Sequence, residues 1–176
     1  MSLKEHEIIA YVSTHLMSNE NAEIESIALK KKSYRDLVCS HLINSSVNRG
    51  KIDSIKFKTT GDDIVAYYQF NTGKRQRKMI IEAKGGNVFY NFYTSIGQFI
   101  CGKKSPSTYY WFGFAFPFSW RKKIRKYLKN DGEINPLIKL LIKEYTKNGQ
   151  GLWFYFVKSN GEIIKETWNQ TLTKNE

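Results

Sequence analysis

The chain is short of the residues from which disulfide frameworks and zinc sites are built. Its 176 residues include two cysteines, Cys39 and Cys101, and three histidines. Two cysteines without partners at CxxC spacing exclude a disulfide framework and favour a reducing, intracellular setting. His6, His15 and His41 lack the spacing of zinc ligands, so we assign them no chemistry.

Long apolar runs are also missing. No stretch approaches the roughly 18 apolar residues that span a bilayer, and residues 1–6 lack the charged and apolar regions of a signal peptide. The sequence therefore predicts a soluble, cytoplasmic protein with no membrane partner.

Acidic residues are few relative to basic ones. The chain has 16 Asp and Glu against 28 Lys and Arg, a formal net charge of +12. A positive surface favours anionic partners, and nucleic acid fits best because neutralised phosphates release counterions. The 15% aromatic content adds rings that could stack on bases. On charge alone, a basic protein that is merely soluble is the alternative.

The hydrophobic content of 41% is enough for one globular domain. We predict a single domain over 1–176, with a helical part (1–50), a core (51–116), and a C-terminal part with a basic helix, a second helix and a hairpin (117–176). The predicted helices are 3–17, 23–48, 91–100, one from Trp120 and one from Asn135, and the predicted strands are 52–57, 64–70, 78–84, 109–116, 152–158 and 162–168. This order predicts an α/β fold with a mixed central sheet flanked by helices.

The fourth predicted strand is apolar and aromatic along its whole length. This pattern is typical of a strand covered on both faces, so we place it at the centre of the sheet. Tyr109, Tyr110, Trp111 and Phe112 could also stack on bases, but a buried strand explains them better.

Two acids and a lysine stand at the ends of neighbouring predicted strands. With the hairpin turn of residues 71–74 centred between Thr72 and Gly73, cross-strand partners have numbers that sum to 145. Asp63 then lies opposite Glu82 on one face, and Lys84 shares that face because strand side chains alternate. A turn one residue longer would place Asp62 there instead.

Carboxylates in this relation have Cβ atoms about 5 Å apart, which one divalent cation can bridge. Like charges so close raise each other's pKa, and a cation relieves that conflict. Oxygen ligands without histidine or thiolate select Mg²⁺ or Mn²⁺ over zinc. An ordinary hairpin with surface charges is the alternative interpretation.

The same residues carry a family resemblance. GDDIVA at 61–66 followed by IIEAKG at 80–85 resembles the motif of the PD-(D/E)xK, or restriction-endonuclease-like, nucleases. Asp63, Glu82 and Lys84 fall on its two acids and lysine, while Asp62 stands where the family often has proline. In IGQ at 96–98, Gln98 resembles a helix glutamine that many members carry in support of the site.

The resemblance covers about residues 51–110 and implies a restriction-endonuclease-like core. It further implies a metal-dependent nuclease that hydrolyses phosphodiester bonds, with DNA as the expected substrate and Mg²⁺ or Mn²⁺ as cofactor. Asp63 and Glu82 would hold the metal, the Ala83 carbonyl is a further candidate ligand, and a homodimer is the arrangement expected for cutting duplexes. Many members add an acid from the first core helix, for which the candidates are Glu7, Glu23 and Glu25.

Two other functions remain open. A nucleic-acid-binding or assembly protein could keep the fold without catalysis, although such a role needs no paired carboxylates facing a polyanion. The second open function is a nuclease that acts on RNA, since no feature of the sequence indicates whether the sugar 2′-hydroxyl is recognised.

The helix predicted from Trp120 has an apolar stripe and a basic opposite face. We expect this face to contact phosphates, together with two lysines that follow the glutamine helix. The predicted nucleic-acid-binding residues are Arg121, Lys122, Arg125, Lys126, Lys103 and Lys104. A solvated helix face is the alternative, because basic residues are spread over the whole chain.

Overall fold

The chain folds into a mixed β-sheet with helices against both faces. The computed structural model describes residues 2–69, 76–86, 91–102, 110–129 and 151–173. The strands are β1 (Glu23–Ala28), β2 (Lys56–Lys58), β3 (Ile64–Gln69), β4 (Gln76–Ala83), β5 (Tyr110–Pro117), β6 (Leu152–Val157) and β7 (Ile163–Thr167). The helices are α1 (Glu5–Ser18), α2 (Lys32–Asn44), α3 (Arg49–Asp53), α4 (Asn91–Gly102), α5 (Arg121–Lys129) and α6 (Trp168–Thr173), and a 3-10 turn at Phe118–Trp120 leads into α5.

The seven strands lie in the order β2-β1-β3-β4-β5-β6-β7. Strands β1, β2, β4, β5 and β6 run parallel to one another, and β3 and β7 run against them. Five strands therefore finish at one edge of the sheet, which we call the carboxyl edge, and β3 begins there. The predicted α/β fold with a mixed sheet flanked by helices is confirmed.

Two cores lie on opposite faces of the sheet. Helices α1 and α2 cover one face, where Ile8, Leu16, Ile81 and Tyr155 are buried. On the other face, α4, α5 and α6 cover a core rich in phenylalanine from β5 and β6. Side chains of β5 alternate between the two cores, which confirms that it is a central strand covered on both faces.

The connections of the sheet diverge at its middle. The chain leaves β1 through α2 and α3 to reach β2 on one side, and leaves β4 through α4 to reach β5 on the other. Right-handed crossovers in opposite directions place their helices on opposite faces, as α2 and α4 are placed here. In sheets of this kind, ligands bind where the connections diverge at the carboxyl edge.

Most predicted elements are confirmed. The helices predicted at 3–17 and 91–100 are α1 and α4, and the helix predicted from Trp120 is α5. The strands predicted at 64–70, 78–84 and 109–116 are β3, β4 and β5, and the predicted C-terminal hairpin is β6 and β7. The turn at 71–74 and the helix from Asn135 lie outside the described residues.

The helix predicted over 23–48 is wrong in its first part, and residues 1–50 are therefore not all helical. Residues 23–28 form β1, and the helix covers only Lys32–Asn44. The β1–β3 register shifts between Ile24 and Ser26, which marks a β-bulge. A bulge adds one residue, so Ile24 and Ile27 both reach the same core although they are three positions apart. This spacing imitates the period of a helix.

The strand predicted at 52–57 is also wrong in part. Residues 49–53 form the short helix α3, whose N-cap Asn48 accepts a hydrogen bond from the Gly50 amide at 2.8 Å. Only Lys56–Lys58 pair as a strand, and β2 is the outermost strand of the sheet. Ile52 and Ile55 are buried in the α1–α2 core from a helix and a loop.

None of the helices in the described ranges has both the length and the apolar composition needed to cross a bilayer.

Glu20 joins the end of α1 to two strands. Its carboxylate accepts hydrogen bonds from Tyr68 Oη at 2.5 Å and Lys165 Nζ at 2.7 Å, and it lies 3.1 Å from His15 Nε2. Burial alone would raise the pKa of Glu20, but these partners outweigh it and lower the pKa to about 2.

We expect Glu20→Gln to destabilise the fold by roughly 2 kcal/mol at neutral pH. Because the folded-state pKa lies below the ordinary 4.5, this stabilisation is full above that pH and is lost as pH falls towards 2. Urea unfolding of both proteins between about pH 7 and about pH 3 measures the difference, which should shrink on acidification. Asp36→Asn, at an exposed aspartate of α2, is the control. A difference that stays constant with pH would contradict the assignment.

Candidate functional site

The paired acids lie at the carboxyl edge, beside the point where the connections diverge. The β3–β4 ladder pairs Ile64 with Ile81 and Val65 with Ile80, so partner numbers sum to 145 as predicted. Continuing this register by one position sets Asp63 against Glu82.

The ammonium of Lys84 lies among three carboxylates. Its Nζ is 2.6 Å from Glu82 Oε1, 3.7 Å from Asp63 Oδ2 and 3.9 Å from Glu5 Oε2. The structure thus brings together Asp63, Glu82 and Lys84, as the sequence predicted, and adds Glu5. Asp62 does not take the place of Asp63 at Lys84.

Asp63 is held by the backbone on two sides. Its Oδ2 accepts a hydrogen bond from the Ala83 amide at 2.7 Å, and its carbonyl accepts one from the Ala28 amide at 3.0 Å. Burial and the Glu82 charge raise the pKa of Asp63 to about 7, although Lys84 and the Ala83 amide act in the opposite direction. Crowding of negative charge at this position is therefore only partly relieved by Lys84.

Lys84 is also partly buried. Burial would lower the pKa of its ammonium, but the charges of Asp63 and Glu82 outweigh that effect and raise it. The lysine is consequently a fixed cation, and its hydrogen bond to Glu82 orients the Nζ.

Glu5 reaches the site because the start of α1 docks tightly on residues 85–86. The Gly86 amide donates to the Leu3 carbonyl at 2.7 Å. A Cβ on Gly85 would overlap the backbone of Lys4 and Glu5, so only glycine permits this approach. Sequence reasoning missed Glu5, although the Gly85-Gly86 pair directly after the motif lysine was a signal of close backbone approach.

The three acids considered as helix ligands lie elsewhere. Glu7 Oε2 accepts a hydrogen bond from the Lys4 amide at 2.6 Å and caps α1. Glu23 Oε1 accepts from Gln69 Nε2 at 2.9 Å, at the end of β1 away from the site. Glu25 belongs to the bulged part of β1. The acid that α1 supplies beside Lys84 is Glu5.

The remaining predicted site residues are placed as follows. Ala83 turns its side chain into the α1–α2 core, while its amide binds Asp63. Gln98 lies in α4, but its side chain is outside the described part, as are Lys103 and Lys104.

The basic helix divides into exposed and buried cations. Lys122 and Lys126 are exposed, as expected of phosphate contacts. Arg125 is only 5% exposed, and its Nη2 lies 2.8 Å from Oε1 of the fully buried Glu166. Arg121 binds the same oxygen at 2.5 Å. The prediction that Arg125 faces phosphates does not agree with this position, because α5 packs that side against β7 and α6.

We expect Arg125→Ala to lower the free energy of unfolding by about 3 kcal/mol, since it leaves the buried Glu166 with one cation fewer. Lys126→Ala, on the exposed face of the same helix, should change it by less than about 0.5 kcal/mol. Urea unfolding measures both values. Weaker DNA binding by Arg125→Ala at unchanged stability would restore Arg125 as a phosphate contact.

The residues at the site suit a hard divalent cation. Within the described residues, no group of three or more acidic, histidine or cysteine side chains is arranged to hold a metal ion. The two carboxylates of Asp63 and Glu82, on one face with a lysine cation between them, nevertheless form an oxygen-only donor set. Burial and the Glu82 charge both raise the pKa of Asp63, and a cation bound beside it would favour the ionised form.

We expect millimolar Mg²⁺ or Mn²⁺ to raise the melting temperature by roughly 2–6 °C, because a ligand that binds only the folded state stabilises it. Asp63→Asn and Glu82→Gln should abolish the rise, whereas Asp53→Asn, an exposed aspartate on α3, should keep it. Differential scanning fluorimetry with and without EDTA measures the shift. An equal rise in all four proteins would show nonspecific binding.

Comparison with protein-family models, with curated proteins and with solved structures found no match to this chain. The PD-(D/E)xK resemblance therefore depends on the residues and geometry described above.

Proposed function

We propose that this chain is a metal-dependent endonuclease that hydrolyses phosphodiester bonds of DNA. The observation that carries the proposal is the convergence of Asp63, Glu82 and Glu5 on the Lys84 ammonium at the carboxyl edge. A basic protein gathers acids against a polyanionic partner only at an electrostatic cost, which a bound cation would remove.

The order of elements supports a restriction-endonuclease-like core. Helix α1, the antiparallel strands β1, β3 and β4, helix α4 and the parallel strand β5 follow one another, with α2, α3 and β2 between β1 and β3. This is the order helix, three strands, helix, strand that the motif resemblance implies. The first helix is then α1, which explains why the added acid is Glu5.

The metal would be Mg²⁺ or Mn²⁺, held by Asp63 and Glu82, with the Ala83 carbonyl and Glu5 as further candidate ligands. A bound divalent ion supplies Lewis-acid polarisation of a phosphoryl oxygen and neutralises charge that develops there. The hydrogen bond from the Ala83 amide fixes one oxygen of Asp63 and leaves the other available.

Lys84 would act on the phosphate itself. Its Nζ is oriented by Glu82 and is a permanent cation, so it can stabilise the negative charge that grows on a phosphoryl oxygen during attack by water. The net charge of +12 and the exposed Lys122 and Lys126 would hold the nucleic acid backbone nearby. A homodimer, with one subunit for each strand, is the arrangement expected for cutting a duplex.

A second candidate is a nucleic-acid-binding or assembly protein without catalysis. It is favoured by the short contact of 2.6 Å between Lys84 and Glu82, because an ammonium in this position already neutralises part of the acidic cluster. RNA instead of DNA is a further alternative for either function.

We expect the purified protein to cut plasmid or single-stranded DNA in Mg²⁺ or Mn²⁺ and not in EDTA. Asp63→Asn and Lys84→Ala should each lower the cleavage rate by roughly 100-fold or more, because the first removes a metal ligand and the second removes the cation that acts on the reacting phosphate. Gel analysis of products over time measures the rate, and Asp53→Asn is the control.

Binding without products in any metal would support the second candidate. Cleavage that survives both substitutions would overturn the site, and faster cleavage of matched RNA would reassign the substrate.

A further inference from the structure

A groove of about 500 Å³ opens directly beside the acidic cluster. It is lined by Glu5, His6, Tyr34, Asp63 and the segments 28–30 and 59–61. Its floor is apolar, at Ala28 and Leu29, and its rim is polar, at Lys30, Thr59 and Thr60. A cavity of this size with these surfaces is typical of a site for a small organic ligand.

The topology places this groove where ligands bind in α/β sheets. Residues 28–30 are the end of β1 and the loop after it, and the loop 59–61 follows β2, so both segments stand at the carboxyl edge. The groove therefore lies on the α2 side of the point at which the connections diverge, and Asp63 belongs both to it and to the acidic cluster.

One wall is an aromatic stack. The rings of His6 and Tyr34 lie 4.2 Å apart at an interplanar angle of 13°, and Lys31 Nζ lies 5.5 Å from the centre of the Tyr34 ring. His6 thus covers one face of Tyr34, and the Lys31 ammonium also lies near the ring.

Charges of both signs line the groove. Its acids are Glu5 and Asp63, and its cation is the exposed Lys30, with Lys31 and Lys32 next in the chain. A ligand with an apolar ring and an anionic backbone complements this distribution. The ring would lie against the floor and the Tyr34 wall, and the backbone would follow the basic rim.

We propose that the groove binds one unpaired nucleotide, with its base beside Tyr34 and its phosphate at Lys30, next to the phosphate that Asp63 and Lys84 address. This inference rests on the proposed function for the neighbouring phosphate. A base that is stacked and paired in a duplex cannot enter a cavity of this size. The site therefore takes single strands, or duplexes that are open at the position of cleavage.

The test measures binding in EDTA, so that it does not depend on cleavage. Fluorescence anisotropy compares a labelled oligothymidylate of about 12 nucleotides, an abasic strand of the same length and a duplex hairpin. We expect the native protein to bind the base-bearing strand roughly 10-fold more tightly than the abasic strand, because base stacking on an aromatic ring has about that effect.

Tyr34→Ala should remove this preference for bases, and Tyr34→Phe, which keeps the ring, should retain it. Thr60→Trp, at an exposed position on the rim, should fill the groove and weaken binding of the oligothymidylate without affecting the hairpin. Lys30→Ala should weaken binding of both single strands, whereas Lys32→Ala, beside it in the chain but not lining the groove, should have a smaller effect.

Melting curves establish that each variant is folded. If Tyr34→Ala does not fold, Thr60→Trp still tests whether the groove binds the single strand. Equal affinity of native protein for the base-bearing and abasic strands would overturn the proposal. So would equal losses of single-strand and hairpin binding in Thr60→Trp. A base preference that depends on Tyr34, in a protein that cuts nothing in Mg²⁺ or Mn²⁺, would uphold the groove and refute the nuclease. Cleavage without a base preference would uphold the nuclease and refute the nucleotide-binding groove.

Discussion

Hydrogen bonding between β3 and β4 sets the register on which the candidate site depends. Strand side chains alternate between the two faces of the sheet. A slip of one residue would therefore point Asp63 towards the α1–α2 core and put Asp62 on the face that carries Glu82. Burial of Ile64 and Ile81 in the α1–α2 core prevents such a slip. The apolar residues of the hairpin thus select the face on which the acids appear.

Charge is balanced differently in the two ionic clusters of the protein. At Glu166, one buried carboxylate meets two arginines, and the partners lower its pKa. At Lys84, one ammonium meets three carboxylates, and the pKa of Asp63 rises. The first arrangement is saturated with positive charge and suits a structural role. The second is deficient in positive charge, in a protein that is basic elsewhere, and suits a site that receives a cation.

The acidic cluster and the groove share one structural origin. Both stand at the carboxyl edge, where the connection from β1 passes over one face of the sheet and the connection from β4 passes over the other. Because α1 docks against Gly85, Glu5 is part of both the acidic cluster and the groove. Helix α1 is therefore the element that contacts both the acidic cluster at Lys84 and the adjacent groove.

The sequence alone predicts the hairpin register, the grouping of Asp63, Glu82 and Lys84, and the central buried strand β5. These features depend on local periodicity and on a turn between neighbouring segments. The three-dimensional fold was needed to find that Glu5 joins the site, that Arg125 is buried on Glu166, and that residues 23–28 form a bulged strand. Each of these depends on contact between segments far apart in the chain. The bulge gives its strand a spacing that imitates a helix, and the docking of a helix leaves no periodic signal.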